Sequence, residues 1–306
     1  MTPSRPGPDQ LPAAALARAD DDLERLVGYV QHETPTGDRA ALDGFGEVLL
    51  ADAVASGAST RRVPLPDGDV LVVEHPGRDR PEESPALVLA HHDTVHPAGS
   101  LRGAVPLRRE GDTLFGPGTY DMKGGIVVLL AALELLAGLG LPHRPVRLVV
   151  TPDEEVGSPT SRDVVTDLAR GVAFALGLEP PHADGALKTS RMGSTRLRLS
   201  VTGRSAHAAL NPELGVSATD ELVDQLLRTR ALVAEHPDVL CNLGSLGGEG
   251  KTNVVAAAAH ADLGLRFLTS QTETEVLGRL ASLEPVREGA RVSTTVLSSR
   301  PAWGPS

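Results

Sequence analysis

Aromatic residues and cysteine are scarce in this sequence of 306 residues. Phe, Trp and Tyr together make up 2% of the chain, so its core has to be built from aliphatic side chains. The single cysteine, Cys241, excludes an internal disulfide framework and favours a reducing compartment. The longest apolar run, residues 126–141, contains Glu134 and is too short for a membrane helix. These absences predict a cytoplasmic protein that does not span a membrane.

Basic residues are outnumbered by acidic ones. The chain has 29 Lys and Arg against 40 Asp and Glu, which gives a formal net charge of -11. Nucleic acids and anionic membrane surfaces attract basic proteins, so we expect neither as a partner. The length is sufficient for about two domains, and a hydrophobic content of 41% is ordinary for a globular protein.

Apolar runs alternate with helical patterns in the first 180 residues. Strand-like runs cover residues 69–74, 86–91, 146–151 and 172–176, and helical patterns cover residues 16–31, 39–55 and 122–137. This alternation predicts an α/β domain with a mostly parallel central sheet. In such sheets, ligands bind outside the carboxyl ends of the strands.

The pattern changes after Pro180 and Pro181. Residues 195–202 alternate in polarity, as in a sheet with one solvated face. A helix over 213–234, strands over 254–258 and 260–268, a helix over 272–283 and a strand over 292–297 follow. The resulting strand–helix–strand–strand–helix–strand order is typical of an inserted α+β domain with a ferredoxin-like arrangement.

Candidate metal ligands follow the apolar strands. His91 and Asp93 lie two residues apart on an extended segment, so both can point the same way and Asp93 can orient the imidazole. The pair is equally compatible with a surface His–Asp contact. Asp121 follows a glycine-rich loop and precedes a helix, where a carboxylate either bridges cations or caps the helix.

Three glutamates follow the other two strands of this region. Glu154 and Glu155 come shortly after strand 146–151, and neighbouring carboxylates project differently, so one can bind a metal while the other acts as a general base. A solvated turn is the alternative. Glu179 ends the run that begins at residue 172. Histidine combined with carboxylates is the ligand set of zinc-type catalytic sites.

Seven short motifs are distributed along the chain. They are His91–Val95 (HHDTV), Gly116–Gly125 (GPGTYDMKGG), Asp153–Ser158 (DEEVGS), Leu178–Pro180 (LEP), Gly203–Ala208 (GRSAHA), Pro212–Val216 (PELGV) and Thr252–Val255 (TNVV). Together they resemble the motifs of the M20 family of metallopeptidases, in particular its glutamate carboxypeptidase branch. The resemblance extends over nearly the whole chain from about Leu23 onward.

The resemblance implies a two-metal amide hydrolase. His91, Asp121 and Glu179 would hold one zinc ion, and Asp121 would bridge to a second zinc ion bound by Glu155. Glu154 would be the general base that activates the attacking water. Co²⁺ and Mn²⁺ are alternatives to zinc. The implied substrate is a small peptide with a C-terminal glutamate-like residue, or an N-acyl amino acid.

The resemblance also assigns residues of the inserted domain. His207 would stabilise the oxyanion in the partner's site of a homodimer that forms through this domain. Asn253 would hold the substrate, and Arg266 would bind its carboxylate. The implied boundaries are a catalytic domain over residues 1–187, a lid and dimerisation domain over 188–299, and the start of a return to the catalytic domain over 300–306.

The family pattern includes a histidine after the lid that completes the second metal site. No histidine follows His260 in this sequence. Two carboxylates without an imidazole bind zinc weakly, so we expect at most one tightly held metal and weakened hydrolysis. The alternative is a catalytically impaired homologue that dimerises or binds ligands through the inserted domain.

Overall fold

The computed structural model describes residues 7–304 and divides the chain into two compact units. The first unit is Met1–Pro180 and the second is Pro181–Ser306, so the division falls where the sequence pattern changes. The outer ends of the predicted domain ranges, residues 1–6 and 305–306, lie outside the described residues. No helix within residues 7–304 is long and apolar enough to cross a membrane.

Helices and strands alternate along the first unit. Its helices are α1 (Leu11–Ala17), α2 (Ala19–Gln31), α3 (Arg39–Ala55), α4 (Gly124–Gly138) and α5 (Arg162–Leu168). Its strands are β1 (Ser59–Val63), β2 (Val70–His75), β3 (Ala86–His91), β4 (Arg108–Glu110), β5 (Thr113–Phe115), β6 (Val146–Thr151) and β7 (Phe174–Gly177). The helix predicted over 16–31 is interrupted at Arg18, so α1 and α2 are separate helices.

The central sheet of the first unit has the strand order β1-β2-β6-β3-β7. β3 runs parallel to both β6 and β7, whereas β2 runs antiparallel to β1 and to β6. The predicted α/β fold class is confirmed, with a sheet that is mixed because of β1 and β2. The parallel part brings the carboxyl ends of β6, β3 and β7 to one edge of the sheet.

Apolar side chains cover both faces of this sheet. On one face Val88 packs in a cluster with Phe45 of α3 and Ile126 of α4. On the other face Val149 packs in a cluster with Val165 of α5. The first unit therefore has three layers, and its largely aliphatic core agrees with the scarcity of aromatic residues. β7 is the outer strand on the parallel side, and Phe174 and Leu176 remain 46% and 49% exposed along it.

The second unit has the predicted strand–helix–strand–strand–helix–strand order. Its elements are β8 (Gly193–Thr202), α6 (Ala218–Ala234), β9 (Leu240–Lys251), β10 (Val254–Phe267), α7 (Ser270–Ala281) and β11 (Arg291–Arg300). The antiparallel sheet has the order β11-β8-β10-β9, which is the ferredoxin-like arrangement. Leu197 and Leu263 of the sheet pack with Leu232 of α6 and Val276 of α7 on one face.

Three elements of the second unit differ from the prediction. The strands expected over 254–258 and 260–268 are one continuous strand, β10, and the strand that precedes it, β9, was not expected. Cys241 lies on β9 and is exposed, because β9 is an edge strand. The helix expected from residue 213 begins at Ala218, because the side chain of Ser217 accepts a hydrogen bond from the Asp220 N–H and caps it.

Candidate metal centre

Three parallel strands end at the same edge of the first unit's sheet, and each delivers a polar side chain there. His91 is the last residue of β3. Glu154 and Glu155 form a short 3-10 turn after β6, and Glu179 lies two residues beyond the end of β7. The convergence follows from the parallel pairing of β3 with β6 and β7.

Asp121 reaches the same edge from the turn that precedes α4. Gly118 opens this turn in the left-handed region, at φ 66°, and the peptide bond between Asp121 and Met122 is cis. Lys123, at the end of the turn, is buried, and its Nζ donates hydrogen bonds to the backbone oxygens of Tyr29 and His32. Lys123 therefore anchors the turn that carries Asp121 to the end of α2.

The five polar side chains at this edge form two groups of possible metal ligands that share His91. His91 Nε2 is 3.0 Å from Asp121 Oδ1 and 3.5 Å from Glu179 Oε1. Ligand atoms of His91, Asp121 and Glu155 all lie within 4.8 Å of one another, and so do those of His91, Glu154 and Glu179. His91 belongs to both groups. Its Nε2 contacts Asp121 and Glu179, the two carboxylates of the predicted first zinc site, and the membership of that site stays a prediction.

The electrostatics of the site suit a divalent cation. Burial and the neighbouring Asp121 charge raise the pKa of Glu155, and the same causes raise the pKa of Glu179. Burial opposes protonation of His91, but the hydrogen bond to Asp93 and the charges of Asp93 and Glu179 raise the pKa of the imidazole to about 9. Carboxylates that repel one another around an imidazole fit a bound cation, because its charge would remove the repulsion.

Asp93 lies behind His91 and is fully buried. Nδ1 of His91 is 3.0 Å from the backbone oxygen of Asp93 and 3.3 Å from its Oδ1. The backbone N–H groups of Glu154 and Glu155 both donate to the Asp93 carboxylate, each at 3.2 Å. Burial raises the pKa of Asp93, but the hydrogen bonds from His91, Thr36 and Glu155 outweigh it and lower the pKa. The carboxylate therefore stays ionised and holds the glutamate turn in place.

A second buried carboxylate, Asp153, fixes the other side of the same turn. It accepts hydrogen bonds from the N–H and the hydroxyl of Thr160 and from the N–H and the hydroxyl of Ser161. Gly157, at φ 93°, allows the chain to turn back between Asp153 and Thr160. Glu154 and Glu155 are thus carried on a segment that two buried aspartates hold at its ends.

A cavity of about 280 Å³ opens beside the candidate ligands. Asp121 and Glu155 line it together with Val95, His96 and Tyr120. Neither Tyr120 nor His96 was predicted to be a site residue. Neither residue follows a strand end directly, so the pattern that identified the ligands could not identify them.

The second unit brings two of its three predicted residues together. Ala208 N–H donates to the backbone oxygen of Asn253, which places the His207 turn beside the Asn253 turn. Nδ1 of His207 accepts from the N–H groups of Ala209 and Leu210, each at 3.2 Å. In the neutral imidazole the proton is therefore on Nε2, which is available as a donor. Asn253 directly precedes the first residue of β10, whereas Arg266 lies near the carboxyl end of that strand.

Arg266 belongs to a group of arginines on the helix-free face of the second unit's sheet. Arg266 of β10 and Arg300 of β11 lie on the two sides of Ser194 in β8. Arg196 is two residues further along β8. All three are exposed, and within residues 7–304 none of them forms an ion pair. Their neighbour Arg198 is paired with Asp262 at 2.7 Å. The three unpaired guanidinium groups make this part of an acidic chain locally positive.

Comparison with known proteins agrees with the motifs and the fold. The model of peptidase family M20/M25/M40 matches residues 87–286. Carboxypeptidase G2 of Pseudomonas sp. (strain RS-16) is 32% identical over 289 residues, which cover 92% of this chain and 68% of that protein. Succinyl-diaminopimelate desuccinylase of Maricaulis maris is 30% identical over 247 residues, which cover 75% of this chain and 61% of that protein. The chain thus spans roughly two thirds of the length of these relatives.

Solved structures show the same fold at lower identity. Aminopeptidase PepT from Bacillus cereus has a TM-score of 0.72 at 18% identity, covering 92% of this chain and 76% of that chain. An M20 family metallo-carboxypeptidase from Sulfolobus solfataricus has a TM-score of 0.59 at 13% identity, covering 89% of this chain and 77% of that chain. The resemblance inferred from the motifs is confirmed, and the chain belongs to the hydrolases of peptidase family M20/M25/M40.

Proposed function

We propose that this protein is a zinc-dependent amide hydrolase. Its substrate is a small peptide with a C-terminal glutamate-like residue, or an N-acyl amino acid, and its location is cytoplasmic. The observation that carries the proposal is the convergence of one imidazole and four carboxylates at the carboxyl edge of a parallel sheet. Membership in the family supports the reaction class, whereas the choice of substrate is part of the proposal.

The metal ligands in this proposal are His91, Asp121, Glu155 and Glu179. Their imidazole and carboxylate donors suit zinc, and they also suit Co²⁺ or Mn²⁺. A bound cation of this kind supplies Lewis-acid polarisation of the amide carbonyl and lowers the pKa of water. Both ligand groups in the first unit include His91, so we propose one tightly held cation per chain.

Glu154 is the proposed general base. It takes a proton from the attacking water and later gives a proton to the leaving amine. Its position supports this role, because its side chain is half-buried at the ligand cluster and its N–H is held by the buried Asp93. Asp93 in turn orients His91 through Nδ1. These two contacts fix the base relative to the metal histidine.

The proposed substrate-binding residues are His207, Asn253 and Arg266. The available Nε2–H of His207 suits a donor to the developing oxyanion. The exposed guanidinium group of Arg266 suits a substrate carboxylate, which it can hold with two parallel hydrogen bonds. Arg196 and Arg300 beside it would add positive potential and would favour an acidic substrate.

We propose that the protein forms a homodimer through the second unit. β9 is an edge strand, and Leu240, Leu243 and Leu246 on it are exposed. An apolar cavity of about 540 Å³ lies between β9 and α6 and is lined by side chains such as Leu226 and Val233. An unpaired apolar edge next to an apolar groove suits pairing with a second copy of the same edge.

The competing function is that of a catalytically impaired protein that dimerises or binds ligands. One observation favours it: both ligand groups depend on the single imidazole of His91, so the two cannot be filled independently. In that case amides would bind without being cleaved, even by a chain that holds its cation.

Hydrolysis by the metal-loaded full chain decides between the two functions, and its metal content shows that the chain is loaded. Plasma mass spectrometry after dialysis in zinc-buffered solution gives the metal per chain. Hydrolysis of N-benzoyl-glutamate, N-acetyl amino acids and a dipeptide is then compared for the wild type, E154Q and the exposed control E82Q. We expect E154Q to keep its metal and to lose roughly 10²–10⁴-fold in kcat, with E82Q unchanged. A metal-loaded wild type that cleaves none of these amides would support the impaired protein.

A further inference from the structure

The buried carboxylate of Asp93 has a donor for each of its acceptor positions. Oδ1 faces His91 Nδ1 at 3.3 Å and accepts from the Glu154 N–H at 3.2 Å. Oδ2 accepts from the Glu155 N–H at 3.2 Å and from the Thr36 hydroxyl at 2.9 Å. A carboxylate offers about four lone-pair sites, and these four groups surround them. Nδ1 of His91 also lies 3.0 Å from the backbone oxygen of Asp93, so the ring is shared between the two oxygens.

Three of these donors belong to residues of the proposed metal centre, and the fourth does not. Thr36 lies in the α2–α3 connection, residues 32–38, and nothing in the sequence pattern associated it with the site. Its hydroxyl carries one proton and has two acceptors in reach, Asp93 Oδ2 at 2.9 Å and the backbone oxygen of Thr94 at 3.2 Å. The shorter contact to the charged oxygen is the stronger one and holds the proton.

The α2–α3 connection is itself fixed to the segments that surround the site. The Thr36 N–H donates to the Thr94 oxygen, and the Thr94 N–H donates to the Thr34 oxygen. The carboxylate of Glu33 accepts from the N–H groups of Gly99 and Leu101 at 2.7 and 2.8 Å. The hydroxyl of Thr36 is therefore presented to Asp93 from a backbone that cannot move away independently.

We infer that Thr36 is a positioning residue of the metal centre, acting through Asp93. Its hydrogen bond fixes the rotation of the carboxylate, so that one oxygen serves His91 while both oxygens hold the glutamate turn. Without the hydroxyl, Oδ2 loses its shortest bond and keeps only the Glu155 N–H, so the carboxylate is held less tightly. The contact of Oδ1 with Nδ1 of His91 then weakens, and the affinity for the cation falls. The inference rests on the proposed function, because it presupposes a cation at His91.

Two substitutions of Thr36 in the full chain separate this role from packing. T36V keeps the shape of the side chain and removes the hydroxyl, whereas T36S keeps the hydroxyl and removes the methyl group. Competition of the metal-free proteins with a chromogenic chelator gives the Co²⁺ and Zn²⁺ affinities, and the Co²⁺ absorption spectrum reports ligand geometry. T166V is the matched control, because the Thr166 hydroxyl bonds only to its own helix at Arg162.

We expect T36V to bind Co²⁺ roughly 10–100-fold more weakly with an altered spectrum, and T36S and T166V to behave as the wild type. T36A, which adds no bulk, takes the place of T36V if that variant does not fold. Equal affinities for T36V and the wild type would overturn the inference, and so would a T36S variant as weak as T36V. A wild type that binds neither metal would instead overturn the proposed function, and the inference with it.

Discussion

The Nε2 atom of His91 lies 3.0 Å from Oδ1 of Asp121, while Nδ1 of the same ring faces the Asp93 carboxylate at 3.3 Å. One imidazole thus connects an exposed carboxylate to a buried one. Asp121 also raises the pKa of Glu155 and of Glu179, so its charge affects every other candidate ligand. Removing that charge is therefore the most direct perturbation of the centre.

We predict that zinc stabilises the wild type against thermal unfolding and has little effect on D121N. Binding at a free zinc concentration 100 times Kd stabilises a protein by about 2.7 kcal/mol. The metal-free D121N variant should differ little in stability from the metal-free wild type, because the lost repulsion of Glu155 and Glu179 is offset by the lost attraction to His91. Circular dichroism melts with zinc and with a chelator measure both effects. The exposed D112N serves as control, and a zinc shift in D121N equal to that of the wild type would contradict the prediction.

The second unit contains a buried carboxylate whose contribution to stability depends on pH. Glu221 accepts hydrogen bonds from Gln225 Nε2 and from the N–H groups of Val286 and Arg287. Burial raises its pKa, but these hydrogen bonds outweigh burial and lower the pKa in the folded state. A lowered folded pKa means that the stabilisation is complete above the unfolded pKa of about 4.3 and is lost as the pH falls through the folded pKa.

We predict that E221Q lowers the free energy of unfolding by about 1.5–3 kcal/mol at pH 7, and by less below about pH 4. Trp303 is the only tryptophan of the chain and lies in the second unit, so its fluorescence follows urea unfolding of that unit. The exposed E288Q is the matched control. A difference between E221Q and the wild type that does not shrink in acid would show that the charge of Glu221 is not the cause.

Arg266 provides a prediction on substrate affinity. A lysine cannot reproduce the two parallel hydrogen bonds of a guanidinium group, so R266K should raise KM for an acidic substrate roughly 10–100-fold and change kcat little. R291K is the control, because Arg291 lies on the same sheet opposite Thr202, at the other end of β8. Steady-state kinetics with N-benzoyl-glutamate measure the effect, and unchanged KM in R266K would remove Arg266 from the proposed substrate site.

The edge strand β9 provides a prediction on assembly. A lysine at Leu246 places a charge on the apolar edge, and its burial between two copies would be unfavourable. We expect L246K to be monomeric at concentrations where the wild type is a dimer, as measured by sedimentation velocity. L187K, at a leucine that is 80% exposed elsewhere in the second unit, should remain dimeric. Dimers of equal stability in all three proteins would place the interface elsewhere.

The sequence predicted those strands whose residues are buried on both faces. β3 and β6 agree with their predicted bounds because continuous apolar runs leave few alternatives for a short segment. β9 was missed because it contains Gly244, Gly247, Gly248 and Gly250, which are typical of loops. Its pairing with β10 supplies the hydrogen bonds that its own side chains do not predict.

The candidate ligands followed from strand ends and from the family motifs, and their division between two metal sites stays a prediction. Which carboxylates meet at His91 depends on the turn around Asp121 and on the position of Glu155, neither of which sequence spacing determines. The contact of Thr36 with the site could not be predicted either, for a related reason. Its contact with Asp93 joins residues 57 positions apart, and a threonine between two helices has no local pattern that points to a distant carboxylate.

The arrangement around Asp93 has a consequence for the order in which the molecule assembles. The hydroxyl of Thr36 and the backbone of Glu154 are 57 and 61 residues away from Asp93 along the chain. Loops of this length must close before either bond can form. The ligand cluster therefore cannot form before these loops close, and a nascent or partly folded chain carries the same carboxylates without the geometry that selects a cation.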